Sequence, residues 1–167
     1  DLIIDELGSG HDGHVPKLKA AMSSLGHNIE KFKVIVHQNV RVKKGSEILK
    51  MSKRAGDFVT AREVIDEVGR DAFRFFLLLN SPTTHMDFDL DLAKKKTKEN
   101  PVYYVQYAHA RTQSILAKSS LDFSDFDPTV FSTPEEKDLL LAIFELPKLV
   151  EEIASNFAVH QLAHYLI

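Results

Sequence analysis

The chain contains no cysteine in its 167 residues. That excludes disulfide staples and thiolate metal sites, and it agrees with a reducing compartment such as the cytoplasm. No apolar run approaches the ~18 residues of a membrane-spanning helix, and no basic-plus-apolar leader opens the chain, so a soluble cytoplasmic protein is expected. Internal repeats and low-complexity tracts are lacking too. What is present is ordinary for a globular protein: 44% hydrophobic and 27% charged residues, enough to bury a core in one or two domains. The chain starts at Asp1, just before "LII", and stops at Ile167 inside an amphipathic pattern, so it is expected to be a fragment of a larger protein.

The net charge of -3 conceals a segregation. Residues 31–74 carry eleven cations against six acids and residues 75–120 six against four, whereas residues 1–30 carry two against five and residues 121–167 two against nine. A basic centre between acidic flanks suits a polyanionic partner; a solvated charged face is the plainer alternative.

"LIID" reads as a short buried strand, "GSGHDGH" as a glycine-rich turn, and "VPKLKAAMSSLG" as a helix closed by Gly26, with Val15, Leu18, Ala21, Met22 and Leu25 at helical spacing. "FKVIVHQNVRV" has strand density of β-branched residues, and "KKGSE" makes a turn into "ILKMS". This is the β-α-β rhythm of a parallel sheet. Thr60 and Glu63 form a capping box before "AREVIDEVG", with Gly69 as the stop, and Asp71 caps the apolar "AFRFFLLLN" up to Ser81-Pro82. "MDFDLDL" alternates as a half-exposed strand. "DLAKKKTKEN" is expected to be a basic helix ended or kinked before Pro101, and Val102 to about Lys118 a helix with an aromatic and apolar face. A Ser/Asp/Pro-rich linker follows, then two amphipathic helices, from Pro134 to about Ser155 and from Ala158 onward, the first strongly acidic.

The segment "EILKMSKRAGDF", residues 47–58, concentrates Lys50, Lys53 and Arg54 without a strong helix or strand period. Lysine is a compact charge on a flexible stem, suited to a phosphate that moves during reaction. Lys50 and Lys53 can converge on one polyphosphate, Ser52 adds a donor, and Ala55-Gly56 let the backbone come close. As composition alone this is weak, because such lysine pairs are usually solvated. As a string it is specific: "KMSKR" resembles the "KMSKS" motif of class I aminoacyl-tRNA synthetases. "LKMSKRAGDFVTAREVIDEVGRDAFRFFLL" followed by "SPTTHMDFDLDLAKKKTKENPVYYVQYAHAR" resembles the arginyl-tRNA synthetase family, from about Ile3 to Arg111 and more loosely beyond.

The resemblance implies an α/β plus all-α protein. Residues 1–56 would be the C-terminal half of a Rossmann-like catalytic domain, residues 57–100 a small mixed connector of stem-contact type, and residues 101–167 the first helices of an anticodon-binding bundle. It implies an arginine–tRNA ligase that activates L-arginine with ATP and Mg2+, passes it to arginine tRNA, and is a monomer. Lys50 and Lys53 would act catalytically on the phosphates, with Met51 and Ser52 shaping the loop near the nucleotide. Arg54 stands where the wider motif ends in Ser and is assigned to tRNA.

His11-Asp12-Gly13-His14 fits "HxGH", the other class I motif, which binds ATP at a helix N-terminus. Only 35 residues separate His14 from Lys50, too few for the β-α units expected between the two motifs. The better match is the family's "GxDHxGY", aligned on Gly8 to His14, with Gly10 in place of Asp and His14 in place of Tyr. Gly8 and His11 are then candidates for contact with ATP. A metal at His11, Asp12 and His14, or at His160 and His164, is disfavoured, since the second pair lacks the Glu of "HExxH" and no third ligand is evident. His27, His37, His85 and His109 are read as structural or surface residues.

The same resemblance sets Lys94, Lys95, Lys96, Lys98, Gln106 and Arg111 toward tRNA. Tyr104, Tyr107 and Ala108 are read instead as helix-helix core, with Arg111 capping an acidic neighbour as its plainer role. The chain alone, lacking the first ATP motif, is expected to be inactive. The competing readings are another class I synthetase and a non-catalytic RNA-binding module derived from one.

Overall fold

Apolar and β-branched residues form β1 (Ile3–Gly8), helical periodicity then gives α1 (Val15–Ser24), and β-branched density returns in β2 (Phe32–His37). The computed structural model describes residues 1–49, 59–120 and 127–167. β1 and β2 pair in parallel, with Ile3 opposite Phe32 and Gly8 opposite His37, so the expected β-α-β unit is formed. α1 closes as its sequence requires: Gly26 takes φ +80°, and the amides of Gly26 and His27 donate to the carbonyls of Ser23 and Met22, each at 3.0 Å. The segment expected to be a glycine turn is a 3-10 helix, Ser9–His14, running straight into α1. Its glycines sit at negative φ, and the Val15 amide bonds the Asp12 carbonyl, so local hydrogen bonding favours the helical path. β1 is also less covered than predicted, with Ile3 and Ile4 47% and 49% exposed. Such an apolar run belongs to a parallel strand covered on both faces, and the two-stranded sheet leaves it open.

"FKVIVHQNVRV" divides at Gln38-Asn39. β3 (Val40–Lys44) leaves the first sheet and joins a second of order β4-β3-β5. β4 (Glu47–Ile48) folds back on β3 through Gly45-Ser46, where Gly45 alone takes positive φ, +60°, as a two-residue primed turn requires. Val40, Arg41, Val42 and Lys43 pair in parallel with Met86 to Asp89 of β5 (Met86–Asp89).

The helices between these strands supply the cover. α2 (Ala61–Val68) begins with the predicted capping box, the Glu63 amide donating to the Thr60 hydroxyl at 3.1 Å and the Thr60 amide to the Glu63 carboxylate at 2.7 Å. Gly69, at φ +86°, ends α2 and is also the cap of α3 (Arg70–Leu78). Asp71 therefore lies inside the first turn, where its charge meets the helix dipole, and does not serve as the cap. Phe88 and Leu90 are 1% and 2% exposed, and the rings of Phe73 and Phe76 pack on Phe88 at 5.9 and 5.6 Å. Val42, Val64, Ala72, Met86 and Ala93 complete this core.

The predicted basic helix is short. α4 (Leu90–Lys94) ends at Lys94, and residues 95–100 form a turn. The physical reason is Asn100, 3% exposed, whose side chain accepts from the amides of Val102 (3.0 Å) and Tyr103 (3.4 Å) and donates to the Lys95 carbonyl (2.7 Å). It caps α5 (Pro101–Lys118), with Pro101 in the first turn, and folds the preceding lysines into a loop. α6 (Pro134–Asn156) opens with a second capping box, Thr133 and Glu136, and ends at Phe157, at φ +61°. α7 (His160–Tyr165) returns along it, the Tyr165 hydroxyl donating to the Ala142 carbonyl at 2.7 Å. The chain divides into two compact units, Asp1–Lys94 and Lys95–Ile167. No helix among the described residues is long and apolar enough to cross a membrane.

Phe88→Ala is expected to lower unfolding stability by about 3–5 kcal/mol, measured by denaturant unfolding of the 167-residue chain. Phe144→Ala, at a position 75% exposed, should change it by less than about 0.5 kcal/mol.

Candidate functional site

Parallel pairing brings the carboxyl ends of β1 and β2 together, so Gly8 and His37 are partners at one edge of the sheet. A Cβ at position 8 would stand 3.9 Å from His37 Cε1, in ordinary van der Waals contact with the imidazole. The Ser9–His14 helix packs on both strands at this edge. His11 and His14 are exposed, their rings edge to face at 5.5 Å. Such an edge is where open α/β sheets receive ligands. Gly8 and His11 are the sequence candidates at this edge. His37, expected to be a structural or surface residue, joins them because the β-α-β register sets it beside Gly8.

The second sheet carries an ordered set of charges on β3 and β5. Arg41 donates to both Asp87 oxygens (2.6 and 3.0 Å), Lys43 to Asp89 (3.0 Å), and the Gly45 amide to Asp91 (2.7 Å). The Leu92 amide and Lys43 hold the Asp89 carboxyl below its ordinary range. Lys94 donates to Glu67 at 2.7 Å and stands 3.7 Å from Asp91. The hydrogen bond with Glu67 raises the Lys94 pKa and lowers that of Glu67, so the cation assigned to tRNA already has acidic neighbours within its own unit.

The lysine loop leaves this sheet by way of β4. Lys50, Met51, Ser52, Lys53 and Arg54, which carry the catalytic and most of the nucleotide assignments, lie outside the described residues. Leu49, the last described residue before them, donates its amide to the Val42 carbonyl at 2.8 Å.

In the helical unit, the turn held by Asn100 and the start of α5 enclose a cleft of about 560 Å3. Lys96, Lys98 and Glu99 line one part of it and Tyr103, Tyr104 and Tyr107 the other. Tyr103 and Tyr107 stack at 6.3 Å and 23°. The expectation of a tyrosine core is corrected here: Tyr104 and Tyr107 are 41% and 51% exposed, and Ala108 is exposed as well. The reason is the face on which they stand. Val102 is the side chain of α5 buried in this chain, and the tyrosines follow it round toward solvent. Among the described residues Arg111 forms no ion pair with an acid; its guanidinium donates to the Tyr107 hydroxyl at 3.3 Å, on the preceding turn. Lys95, Lys96, Lys98 and Gln106 are exposed. His160 and His164 meet edge to face at 5.9 Å. No group of three His, Cys, Asp or Glu side chains among the described residues is arranged to hold a metal.

Residues 20–90 match the family of class I tRNA synthetases (I, L, M and V), and residues 105–167 match the DALR anticodon-binding domain. The chain is 43% identical over 172 positions to the arginine–tRNA ligase of Desulforamulus reducens, covering 99% of this chain and 31% of that protein. It is 45% identical over 168 positions to that of Dehalococcoides mccartyi, covering 99% and 30%. A solved structure from Campylobacter jejuni, described as an arginyl tRNA synthetase, aligns with a TM-score of 0.85 at 32% identity, over 99% of this chain and 36% of that one.

Over 99% of its length the chain is similar to arginyl-tRNA synthetases. The Thermus thermophilus arginyl-tRNA synthetase shares its fold, with a TM-score of 0.75 at 24% identity. The α/β unit therefore corresponds to part of a class I synthetase catalytic region and the helices to an anticodon-binding domain. The chain spans about 31% of the length of the arginyl-tRNA synthetase relative from Desulforamulus reducens.

Proposed function

We propose that the protein carrying this chain is an arginine–tRNA ligase. The observation that supports this is the match to arginine–tRNA ligases over 99% of the chain, lysine loop included. In the first step the arginine carboxylate attacks the α-phosphate of ATP, supplied as its Mg2+ complex, giving arginyl-adenylate and pyrophosphate. In the second, the arginyl group passes to the terminal ribose of arginine tRNA and AMP leaves.

The chain's own part in the first step is charge neutralisation. Lys53 most directly, and Lys50 with it, meet the negative charge that gathers on the departing pyrophosphate, a contribution often the largest in catalysis. Met51 and Ser52 shape the loop around the nucleotide. Gly8 and His11 face substrate from the carboxyl edge of the first sheet, and the exposed faces of Ile3 and Ile4 are covered by the rest of the catalytic domain. Residues 1–56 supply catalytic domain, 57–100 a connector of stem-contact type, and 101–167 the start of the anticodon-binding part. The enzyme acts in the cytoplasm as a monomer.

Arg54, Lys95, Lys96, Lys98, Gln106 and Arg111 contact tRNA, with Lys94 contributing less because Glu67 already meets its charge. The cleft beside Lys96 and Lys98 supports this assignment, since it sets cations next to exposed aromatic rings.

The test is amino-acid-dependent pyrophosphate exchange by the intact protein with tRNA present. Arginine is expected to support exchange and the other amino acids not; exchange with a different amino acid, or none, refutes the reading. The 167-residue chain alone is expected to give none. For tRNA binding by the intact protein, Lys96→Ala and Lys98→Ala should each reduce the slope of log affinity against log salt by about 0.7–0.9, and Lys94→Ala by less. Unchanged slopes for both would remove these lysines from the interface.

A further inference from the structure

The three acids of "DFDLD" are engaged in one regular pattern. Asp87, Asp89 and Asp91 occupy alternate positions along β5 and into α4, and their partners Arg41, Lys43 and Gly45 occupy alternate positions along β3 and into its turn. Asp87 and Asp89 meet their partners at their own level of the parallel ladder, and Asp91 meets Gly45 just beyond its end. The first two contacts are ion pairs, Arg41–Asp87 open to solvent with side chains 56% and 39% exposed, and Lys43–Asp89 half-buried at 35% and 26%. A solvent-exposed pair such as Arg41–Asp87 contributes little to stability. The third is different in kind, because Asp91 accepts from a backbone amide in the hairpin turn itself.

Gly45 opens the two-residue turn that reverses β3 into β4. The carboxylate of Asp91 therefore grips the turn at its tip, and Lys43–Asp89 grips the strand one step before it. Beyond the turn come only Glu47, Ile48 and Leu49 before Lys50. A displacement of the hairpin is passed to the loop lysines over a few residues, and misplacement of reacting groups by about 1 Å can cost up to roughly a hundredfold in rate.

We propose that Asp91, supported by Asp89, is a positioning residue for adenylate formation: the Asp87-Asp89-Asp91 rail fixes the β3–β4 hairpin from which the phosphate-binding lysine loop departs. Asp91 acts through the hairpin and does not touch substrate. The proposal rests on the arginine–tRNA ligase reading and adds to it a control of catalysis that lies in the connector.

The experiment is arginine-dependent pyrophosphate exchange by the intact protein, wild type and variants, with tRNA present and thermal unfolding measured alongside. Asp91→Ala removes the acceptor and is expected to lower kcat roughly tenfold while leaving KM for arginine and the unfolding midpoint nearly unchanged. Asp91→Asn keeps a carbonyl oxygen facing the Gly45 amide and should retain most of the wild-type kcat. Should Asp91→Ala not fold, Asp89→Asn gives the second reading, with kcat expected to fall roughly threefold at constant KM for arginine. A wild-type kcat in Asp91→Ala, an Asp91→Asn loss as large as that of the alanine variant, or a loss matched by an equal rise in KM overturns the rail. An unchanged kcat in Asp89→Asn, where that variant is the one read, overturns it equally. Absence of arginine-dependent exchange in the wild type refutes the ligase reading instead.

Discussion

The parallel pairing of β3 with β5 is the constraint on which the first unit depends. It joins two stretches of chain that are 46 residues apart, as in Arg41 with Asp87, and its register decides which side chains enter the core. With Val42 level with Phe88, one face of the sheet presents Val42, Met86 and Phe88 to α2 and α3, and the other side of β5 presents its acids to the cations of β3. A slip of one residue would exchange these two sets, burying carboxylates and exposing Phe88. The exposed Arg41–Asp87 pair adds little free energy, but together with the half-buried Lys43–Asp89 pair it favours this register over its neighbours.

The helical unit rests on a smaller device. Asn100 is nearly inaccessible to solvent, and a buried amide without partners would be costly. Side-chain hydrogen bonds to the start of α5 and back to Lys95 meet that requirement. They also turn the lysine-rich segment away from a helical path, so that Lys96 and Lys98 stand beside Tyr103 and Tyr107 in one cleft. One capping residue thus determines which cations face which rings.

Features governed by neighbouring residues were legible in the sequence. The Thr60-Glu63 box, the Gly26 and Gly69 stops and the amphipathic strand of "MDFD" all follow from bonds spanning a few residues. Features set at long range were not. Nothing local announces that β3 leaves the sheet of β2, that Asp71 yields the cap to Gly69, or that α4 ends at Lys94 once Asn100 takes up the Lys95 carbonyl. The tyrosines of α5 misled for a similar reason, because an aromatic stripe at helical spacing looks the same whether or not anything covers it. The lysine loop was legible as a string, "LKMSKRAG", and the relatives that match it are arginine–tRNA ligases.

Fold and function meet where the second sheet hands the chain to that loop. The hairpin of β3 and β4 is tied from the side by Asp89 and Asp91, and in the proposed reaction the lysines that follow meet the charge of the departing pyrophosphate. The most direct measurement is pre-steady-state adenylate formation by Lys53→Ala in the intact protein, with arginine affinity measured in the same preparation. The rate is expected to fall roughly a hundredfold or more while arginine binding changes little, because in the proposed reaction the charge that Lys53 meets develops in the transition state. Equal losses in rate and in arginine affinity, or an unaltered rate, would contradict the account.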